Sequence, residues 1–114
     1  LMIHSFTPRL QSTGEARPMH LGFLFNRDPR LGRAMADAAR TENPALTVTE
    51  NAPYHCSDLT DYAVPVHAEP RGLLHALVEI RNDQITTPDA QAAWARILTR
   101  ALERALNTLK ENTR

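Results

Sequence analysis

The sequence predicts a layered α/β fold with a largely parallel sheet. Short apolar runs that are typical of strands alternate along the chain with amphipathic helical segments, which is the pattern of β-α-β units. The clearest of these are a strand-like run at 74–81 and an apolar helical stripe from Trp94 to Leu109. At 114 residues, the chain is long enough for one domain.

The first half of the chain is expected to contain strands and one helix. Apolar runs predict strands at three places: 1–5, 20–26 and 46–49. Asp28 followed by Pro29 predicts a helix start, because an acceptor side chain at the N-cap and proline at the first helical position are typical there. Apolar residues at three- and four-residue spacing extend this helix to about Arg40.

The second half begins with a segment that is predicted to be irregular. Residues 50–72 show no hydrophobic period and contain several prolines. The tyrosines and histidines of this segment favour an ordered binding loop over a linker. After the strand at 74–81, Thr87, Pro88 and Asp89 repeat the helix-start pattern, and the stripe that begins at Trp94 predicts a long helix on one face of the sheet.

The composition argues against several classes of function. Thirteen basic and thirteen acidic side chains cancel, so there is no positive excess for binding nucleic acid or an anionic membrane surface. No run approaches the roughly 20 apolar residues of a membrane span. Four glycines, none of them clustered, form no glycine-rich phosphate loop. Cys56 is the single cysteine, so a reducing cytoplasm is the expected compartment.

The strand at 74–81 carries an acid inside an apolar run. Because side chains alternate along a strand, one face is expected to be apolar and the other to carry His75, Leu77, Glu79 and Arg81. An ionised carboxylate is costly to bury without a cation, a metal or a raised pKa. Two interpretations follow: a Glu79–Arg81 pair at the rim of the sheet, or a catalytic carboxylate.

A histidine closes the first predicted strand. If this strand lies beside the strand at 74–81 and parallel to it, His4 and Glu79 point into one crevice near the carboxyl ends of the strands, where α/β folds bind ligands. An imidazole beside a carboxylate suits a hydrolytic zinc site. The structural alternative is a histidine that is hydrogen-bonded to a backbone carbonyl. The chain has no His-x-x-Glu or His-x-His pair to supply further zinc ligands.

Two other places offer groups that could bind a substrate. Asn51 and Tyr54 lie in a turn after a strand, where an amide and a phenol could hold a carbonyl or carboxylate, or form an Asx-turn and a packed ring. Arg27 precedes a helix N-terminus and could bind a carboxylate through two hydrogen bonds. A solvated arginine is the alternative there.

Short motifs follow one another in a fixed order along the chain. They are His-Ser-Phe-Thr-Pro (His4–Pro8), Arg-Pro-x-His-x-Gly (Arg17–Gly22), Asn-Arg-Asp (Asn26–Asp28), Asn-x-Pro-Tyr (Asn51–Tyr54), His-Ala-Glu (His67–Glu69) and Glu-Ile-Arg-x-Asp-x-Ile (Glu79–Ile85). Together they resemble the N-formylglutamate amidohydrolase family, and the resemblance covers the C-terminal part of that family's domain.

The resemblance implies a three-layer α/β/α fold with a mostly parallel sheet, like that of the zinc carboxypeptidases. It implies hydrolysis of an N-acyl amide of an acidic amino acid: N-formyl-L-glutamate and water give formate and L-glutamate, in amino-acid degradation. Zinc is the implied cofactor. His4 would be a metal ligand, and Glu79 the general acid/base positioned against the zinc-bound water. Substrate-binding or supporting roles would fall to Arg27, Asn51, Tyr54 and Arg81.

The first strands of that family's domain, and its first two metal ligands, would lie upstream of Leu1. We therefore expect residues 1–114 to form the C-terminal portion of one such domain. Three explanations fit: a fragment of a longer product, a chain that pairs with a separate N-terminal piece, or a truncated, inactive protein that acts as a binding or interaction module. The edge of the first strand then predicts association, with the missing N-terminal segment or as a homo-oligomer.

Overall fold

Four strands and two long helices make up the described part of the chain. The computed structural model describes residues 1–54 and 61–112. The strands are β1 (Met2–Phe6), β2 (Leu21–Leu24), β3 (Val48–Glu50) and β4 (Leu77–Arg81), and the helices are α1 (Arg30–Glu42) and α2 (Pro88–Asn112). Shorter segments are a π-helical turn at Ala63–Ala68 and 3-10 turns at Glu69–Arg71 and Asn82–Gln84.

The strands form one sheet in the order β1-β4-β2-β3. β1 is parallel to β4 and β3 is parallel to β2, but β2 and β4 are antiparallel. The chain between β1 and β2 contains no helix that returns it to the starting end of the sheet, so β2 runs in the opposite direction to β1. The α/β fold is confirmed, and the sheet is mixed rather than mostly parallel.

Both helices cover the same face of the sheet. They pack against each other and bury a core that includes Phe23, Val78, Met35 and Trp94. The predicted stripe of α2 is confirmed, since Trp94, Leu98, Ala101 and Ala105 are buried. The hydroxyl oxygen of Thr87 accepts the backbone N–H of Ala90 at 3.1 Å, which is the expected N-terminal cap. Neither helix, nor any other in the described residues, has the length and apolar character that crossing a membrane requires.

Helix α1 begins later than expected. Pro29 is the N-cap residue, and no side chain caps the helix. The carboxylate of Asp28 instead accepts the backbone N–H of Arg30 at 3.1 Å and pairs with the guanidinium of Arg30, with Oδ2 and Nη2 2.7 Å apart. The helix continues to Glu42, beyond the predicted end at Arg40.

The sheet face opposite α1 and α2 is called the open face below. Leu24, Leu77 and Val64 form a small cluster on it, with Met2 packed alongside. Val64 comes from the π-helical turn, so the segment that was predicted to be irregular contains helical turns that bury apolar side chains. The open face is therefore covered in part by this segment, and a three-layer arrangement remains a prediction.

Strand β4 is shorter than expected. It begins at Leu77, so His75 precedes the strand. Leu74, which was expected on the apolar face, is 37% exposed. The predicted alternation is confirmed, because Val78 and Ile80 join the core under the helices while Leu77 joins the cluster on the open face. Glu79, between Val78 and Ile80, therefore belongs to the open face.

Candidate active site

A histidine and a glutamate lie side by side on the open face. The parallel register of β1 and β4 pairs His4 with Glu79, and Nδ1 of His4 is 3.6 Å from Oε1 of Glu79. The His4 side chain is 58% exposed, whereas that of Glu79 is 7% exposed. The expectation that these residues come from neighbouring parallel strands and point to the same side of the sheet is confirmed.

Glu79 is buried without a full set of hydrogen bonds. Its Oε2 atom has no hydrogen-bond partner among the described residues. Burial raises the pKa of Glu79 above its ordinary value, the positive charges of His4 and Arg17 oppose that rise, and Asp61 adds to it. A carboxyl group held between such opposing influences is suited to accepting and returning a proton.

A glycine extends the same row of residues across the sheet. Gly22 is the antiparallel register partner of Glu79. A Cβ atom at Gly22 would lie 2.1 Å from the carbonyl oxygen of Ala52, so the turn after β3 lies directly against β2. The hydroxyl of Thr49 donates to that same carbonyl oxygen at 2.9 Å. The glycine of the Arg-Pro-x-His-x-Gly motif thus brings the turn at 51–54 onto the face that carries Glu79.

Asn51 shapes this turn. Its backbone has a positive φ of 53°, and its side-chain oxygen accepts the backbone N–H of Phe25 at 2.9 Å. Its own backbone N–H donates to the carbonyl oxygen of Phe23 at 2.9 Å. The Oδ1 atom of Asn51 is therefore bonded to the chain after β2 rather than to its own turn, so the expected Asx-turn does not form.

Arg17 was not predicted as a site residue, although it begins one of the motifs. It is 8% exposed, and its guanidinium carbon lies over the ring of Tyr54 at 5.0 Å and over the ring of Phe6 at 5.8 Å. The position of Arg17 in a motif between His4 and Gly22 was the available signal. Its burial could not be read from the sequence, because the two rings come from distant parts of the chain.

Arg81 lies at the end of β4 and anchors the loop that carries Arg17. Its Nε and Oδ1 of Asp83 are 2.7 Å apart. Its Nη1 donates to the carbonyl oxygens of Arg17 at 3.1 Å and Pro18 at 3.2 Å. The Glu79–Arg81 pair considered from the sequence is therefore wrong: Arg81 pairs with Asp83, and the partner of Glu79 is His4.

Arg27 lies at the other end of β2. Its Nη1 pairs with Oε1 of Glu69 at 3.0 Å, and its backbone N–H donates to Oε2 of the same carboxylate at 3.1 Å. The side-chain amide of Asn26 also donates to Glu69, at 3.2 Å. These contacts join the Asn-Arg-Asp and His-Ala-Glu motifs, and they lie near the start of β4 rather than beside Glu79.

A cavity of about 300 Å³ opens on the open face beside His4. It is lined by Met2, His4, Asp61, Tyr62, Ala63, Val64 and Leu77. Its wall is mostly apolar, with a few polar groups near the edge of β1, as is common for pockets that bind small molecules.

The described residues do not complete a zinc site. Residues 1–54 and 61–112 contain no group of three or more His, Cys, Asp or Glu side chains that could hold a metal ion. Zinc sites take about three protein ligands or more, and His4 offers one imidazole. Cys56, together with the other residues at 55–60, lies outside the described residues.

The fold and this site define the chain as an α/β protein with a histidine–glutamate pair beside a small cavity. The family model for N-formylglutamate amidohydrolase matches residues 1–86. The chain therefore belongs to the N-formylglutamate amidohydrolase family.

A solved structure is similar to this chain over most of its length. The crystal structure of gene product Atu2144 from Agrobacterium tumefaciens is similar to this chain, with a TM-score of 0.83 and 39% sequence identity. The match covers 93% of this chain and 40% of that one, so the chain spans less than half the length of this relative. Among curated proteins, no match was found.

Proposed function

We propose that the protein takes part in hydrolysis of an N-formyl or N-acyl amide of an acidic amino acid, with N-formyl-L-glutamate and water giving formate and L-glutamate. The observation that carries the proposal is the His4–Glu79 pair at 3.6 Å beside a cavity, in a chain of the N-formylglutamate amidohydrolase family. The cavity, at about 300 Å³, is of a size that suits a small substrate.

Glu79 is the general acid/base in this proposal. A carboxylate oxygen of Glu79 takes a proton from the attacking water as the oxygen of that water bonds to the acyl carbon. The proton then passes to the amide nitrogen as the C–N bond breaks, so that the amino acid leaves as an amine. The raised pKa of Glu79 brings the carboxyl closer to the pH at which it can both accept and return this proton.

Zinc is the cofactor that we propose, with His4 as one ligand and the remaining ligands supplied from outside the described residues. An exposed imidazole at a strand edge is a suitable donor for zinc. When bound, the metal would polarise the acyl carbonyl and the attacking water.

The substrate contacts that we propose follow from the positions of the side chains. Tyr54 is 44% exposed and stacks on Arg17, so its phenol is available to a bound amino acid. Arg81 and Asn51 support the site through the loop and the turn that they hold. Arg27 is proposed to contact the far end of an extended substrate.

The chain is proposed to be the C-terminal portion of a larger hydrolase domain, three-layered and carboxypeptidase-like. Two observations support this. The chain spans 40% of its structural relative, and β1 is an edge strand whose Ile3 side chain is 57% exposed. Further strands beside β1, with a helix packed over them, would cover that side chain and bring additional groups to His4. The proposed compartment is the cytoplasm.

A second candidate function is a binding or interaction module that is inactive alone or needs a complementary N-terminal chain. It is favoured by the finding that residues 1–54 and 61–112 contain no group of three or more His, Cys, Asp or Glu side chains that could hold a metal ion. A metal assay separates the two: stoichiometric, tight zinc binding by residues 1–114 alone would contradict the proposal that the remaining ligands lie outside these residues.

The test of the proposed function is Glu79→Gln in the natural polypeptide. Release of formate from N-formyl-L-glutamate should fall by roughly 10²- to 10⁴-fold, while bound metal stays unchanged. Glu50→Gln is the matched control, because Glu50 lies in β3 and pairs with Arg33 and Arg40 away from the cavity. Near-normal turnover in Glu79→Gln would remove Glu79 from the mechanism.

A further inference from the structure

Arg17 is a buried cation that lacks an acidic partner in the described part of the chain. It is 8% exposed, and none of the ion pairs among the described residues involves it. A guanidinium offers five N–H donors. Here the hydrogen bonds are two long ones, from Nη1 to the carbonyl oxygen and to Oγ1 of Thr7, both at 3.4 Å. Burying a charge with so few partners is costly unless a ligand completes its contacts.

The backbone of Arg17 is fixed on both sides. Its N–H donates to the carbonyl oxygen of Pro8 at 2.9 Å, and its carbonyl oxygen accepts Nη1 of Arg81 at 3.1 Å. The rings of Phe6 and Tyr54 hold the side chain. The guanidinium is therefore positioned before any ligand arrives, which lowers the entropy cost of binding.

The residues around Arg17 belong to elements that also carry or adjoin the His4–Glu79 pair. Phe6 ends the strand that carries His4. Tyr54 belongs to the turn that lies against Gly22, the register partner of Glu79. The positive charge of Arg17 also acts on Glu79, since it opposes the rise in the pKa of that carboxyl group.

We propose that Arg17 is a specificity-determining residue that binds a carboxylate of the acidic amino-acid part of the substrate, while Glu79 acts at the amide. Because the guanidinium lies over aromatic rings, the carboxylate meets its N–H edge, which is the geometry of paired Arg–carboxylate hydrogen bonds. The inference rests on the proposed function for the identity of the substrate, but the recognition of a carboxylate can be measured without turnover.

The experiment compares two ligands of the same shape in the natural polypeptide: glutarate, which has two carboxylates, and glutaramide, its neutral diamide. Isothermal calorimetry should show that the unmodified protein prefers glutarate. Arg17→Gln should lower the affinity for glutarate by roughly 10- to 100-fold and leave the affinity for glutaramide nearly unchanged. Arg17→Lys, which keeps the charge but not the planar fork, should recover part of the loss.

Arg33→Gln is the matched control, because Arg33 also lies over an aromatic ring, Phe25 at 5.5 Å, but extends from α1. Thermal unfolding of each variant identifies any that fail to fold, and for these the Arg17→Lys result decides. Equal losses for glutarate and glutaramide in Arg17→Gln, an unchanged affinity for glutarate, or no preference for glutarate in the unmodified protein would overturn the inference. A glutarate preference that depends on Arg17, without hydrolysis of N-formyl-L-glutamate, would refute the proposed function alone.

Discussion

Arg81 holds Arg17 through the backbone, with Nη1 of Arg81 3.1 Å from the carbonyl oxygen of Arg17. The strand that carries Glu79 therefore also fixes the loop that carries the buried arginine. The same Arg81 side chain contacts Pro18 and Asp83, so three parts of the chain meet at the end of β4. Any change at this point should reach the site through the loop rather than through direct contact with a substrate.

Arg81→Gln tests the hydrogen bonds that connect the end of β4 to the loop that carries Arg17. The variant loses charge-assisted hydrogen bonds to two carbonyl oxygens and one carboxylate, so its free energy of unfolding should fall by about 1 to 3 kcal/mol. Urea denaturation at neutral pH measures the change. Arg30→Gln is the control, because its ion pair with Asp28 lies on the exposed surface at the start of α1, and it should change stability little. A change in Arg81→Gln as small as that expected for Arg30→Gln would show that these bonds of Arg81 add nothing to the stability of the fold.

Glu79 should destabilise the fold at neutral pH. Its pKa is raised in the folded protein, mainly by burial. The stability that such a group contributes is therefore present below its unfolded pKa and is lost as the pH rises through its folded pKa. Glu79→Gln removes the buried charge, so the variant should be more stable than the unmodified protein at pH 7, and the difference should shrink as the pH falls to about 4.

Urea denaturation across this pH range, with a chelator present, checks the Glu79 prediction. Glu50→Gln is a contrast of opposite sign, since it removes a carboxylate that contacts Arg33 and Arg40 and should lower stability at pH 7. A Glu79→Gln variant that is less stable than the unmodified protein at pH 7 would contradict the prediction.

Much of the fold and the central pair of the site could be predicted from the sequence. The two-residue period of β4 placed Glu79 opposite the apolar core, and the spacing from Trp94 onward gave the buried stripe of α2. The antiparallel pairing of β2 with β4 could not be predicted, because it depends on the path of the loop that precedes β2.

The contacts of Arg17 and Arg27 could not be predicted from the sequence either. Arg17 is buried by the rings of Phe6 and Tyr54, and Arg27 is tied to Glu69. Neither environment follows from local periodicity, since each joins residues that are far apart in the chain.

Gly22→Ala should disturb the site through sterics. A Cβ atom at this position would lie 2.1 Å from the carbonyl oxygen of Ala52, so the turn that carries Tyr54 must move away from β2. We expect a loss of about 1 to 3 kcal/mol in the free energy of unfolding, together with weaker binding of glutarate. Urea denaturation and calorimetry measure the two effects.

Gly72→Ala is the control for Gly22→Ala. Gly72 has a positive φ of 64° and nothing within 4 Å of a Cβ atom, so its substitution strains the backbone without displacing a neighbour. It should cost stability but leave the binding of glutarate unchanged. If Gly22→Ala also leaves binding unchanged, the contact between β2 and the turn does not position Tyr54.

The edge of β1 should make residues 1–114 associate when they are produced alone. β1 is one of the two edge strands of the four-stranded sheet in the described residues. Ile3 pairs in register with Val78 on the helix side, yet it is 57% exposed because the helices do not cover this strand. An edge strand with exposed apolar side chains pairs readily with another chain. Light scattering should therefore show a mass that rises with concentration, and Ile3→Lys should reduce the association several-fold.

The control for Ile3→Lys is Leu106→Lys, on the exposed side of α2 at 39% exposure, which should leave the association unchanged. A monomer at every concentration of the unmodified chain would contradict the prediction, and equal effects of the two lysine variants would place the association elsewhere than at β1.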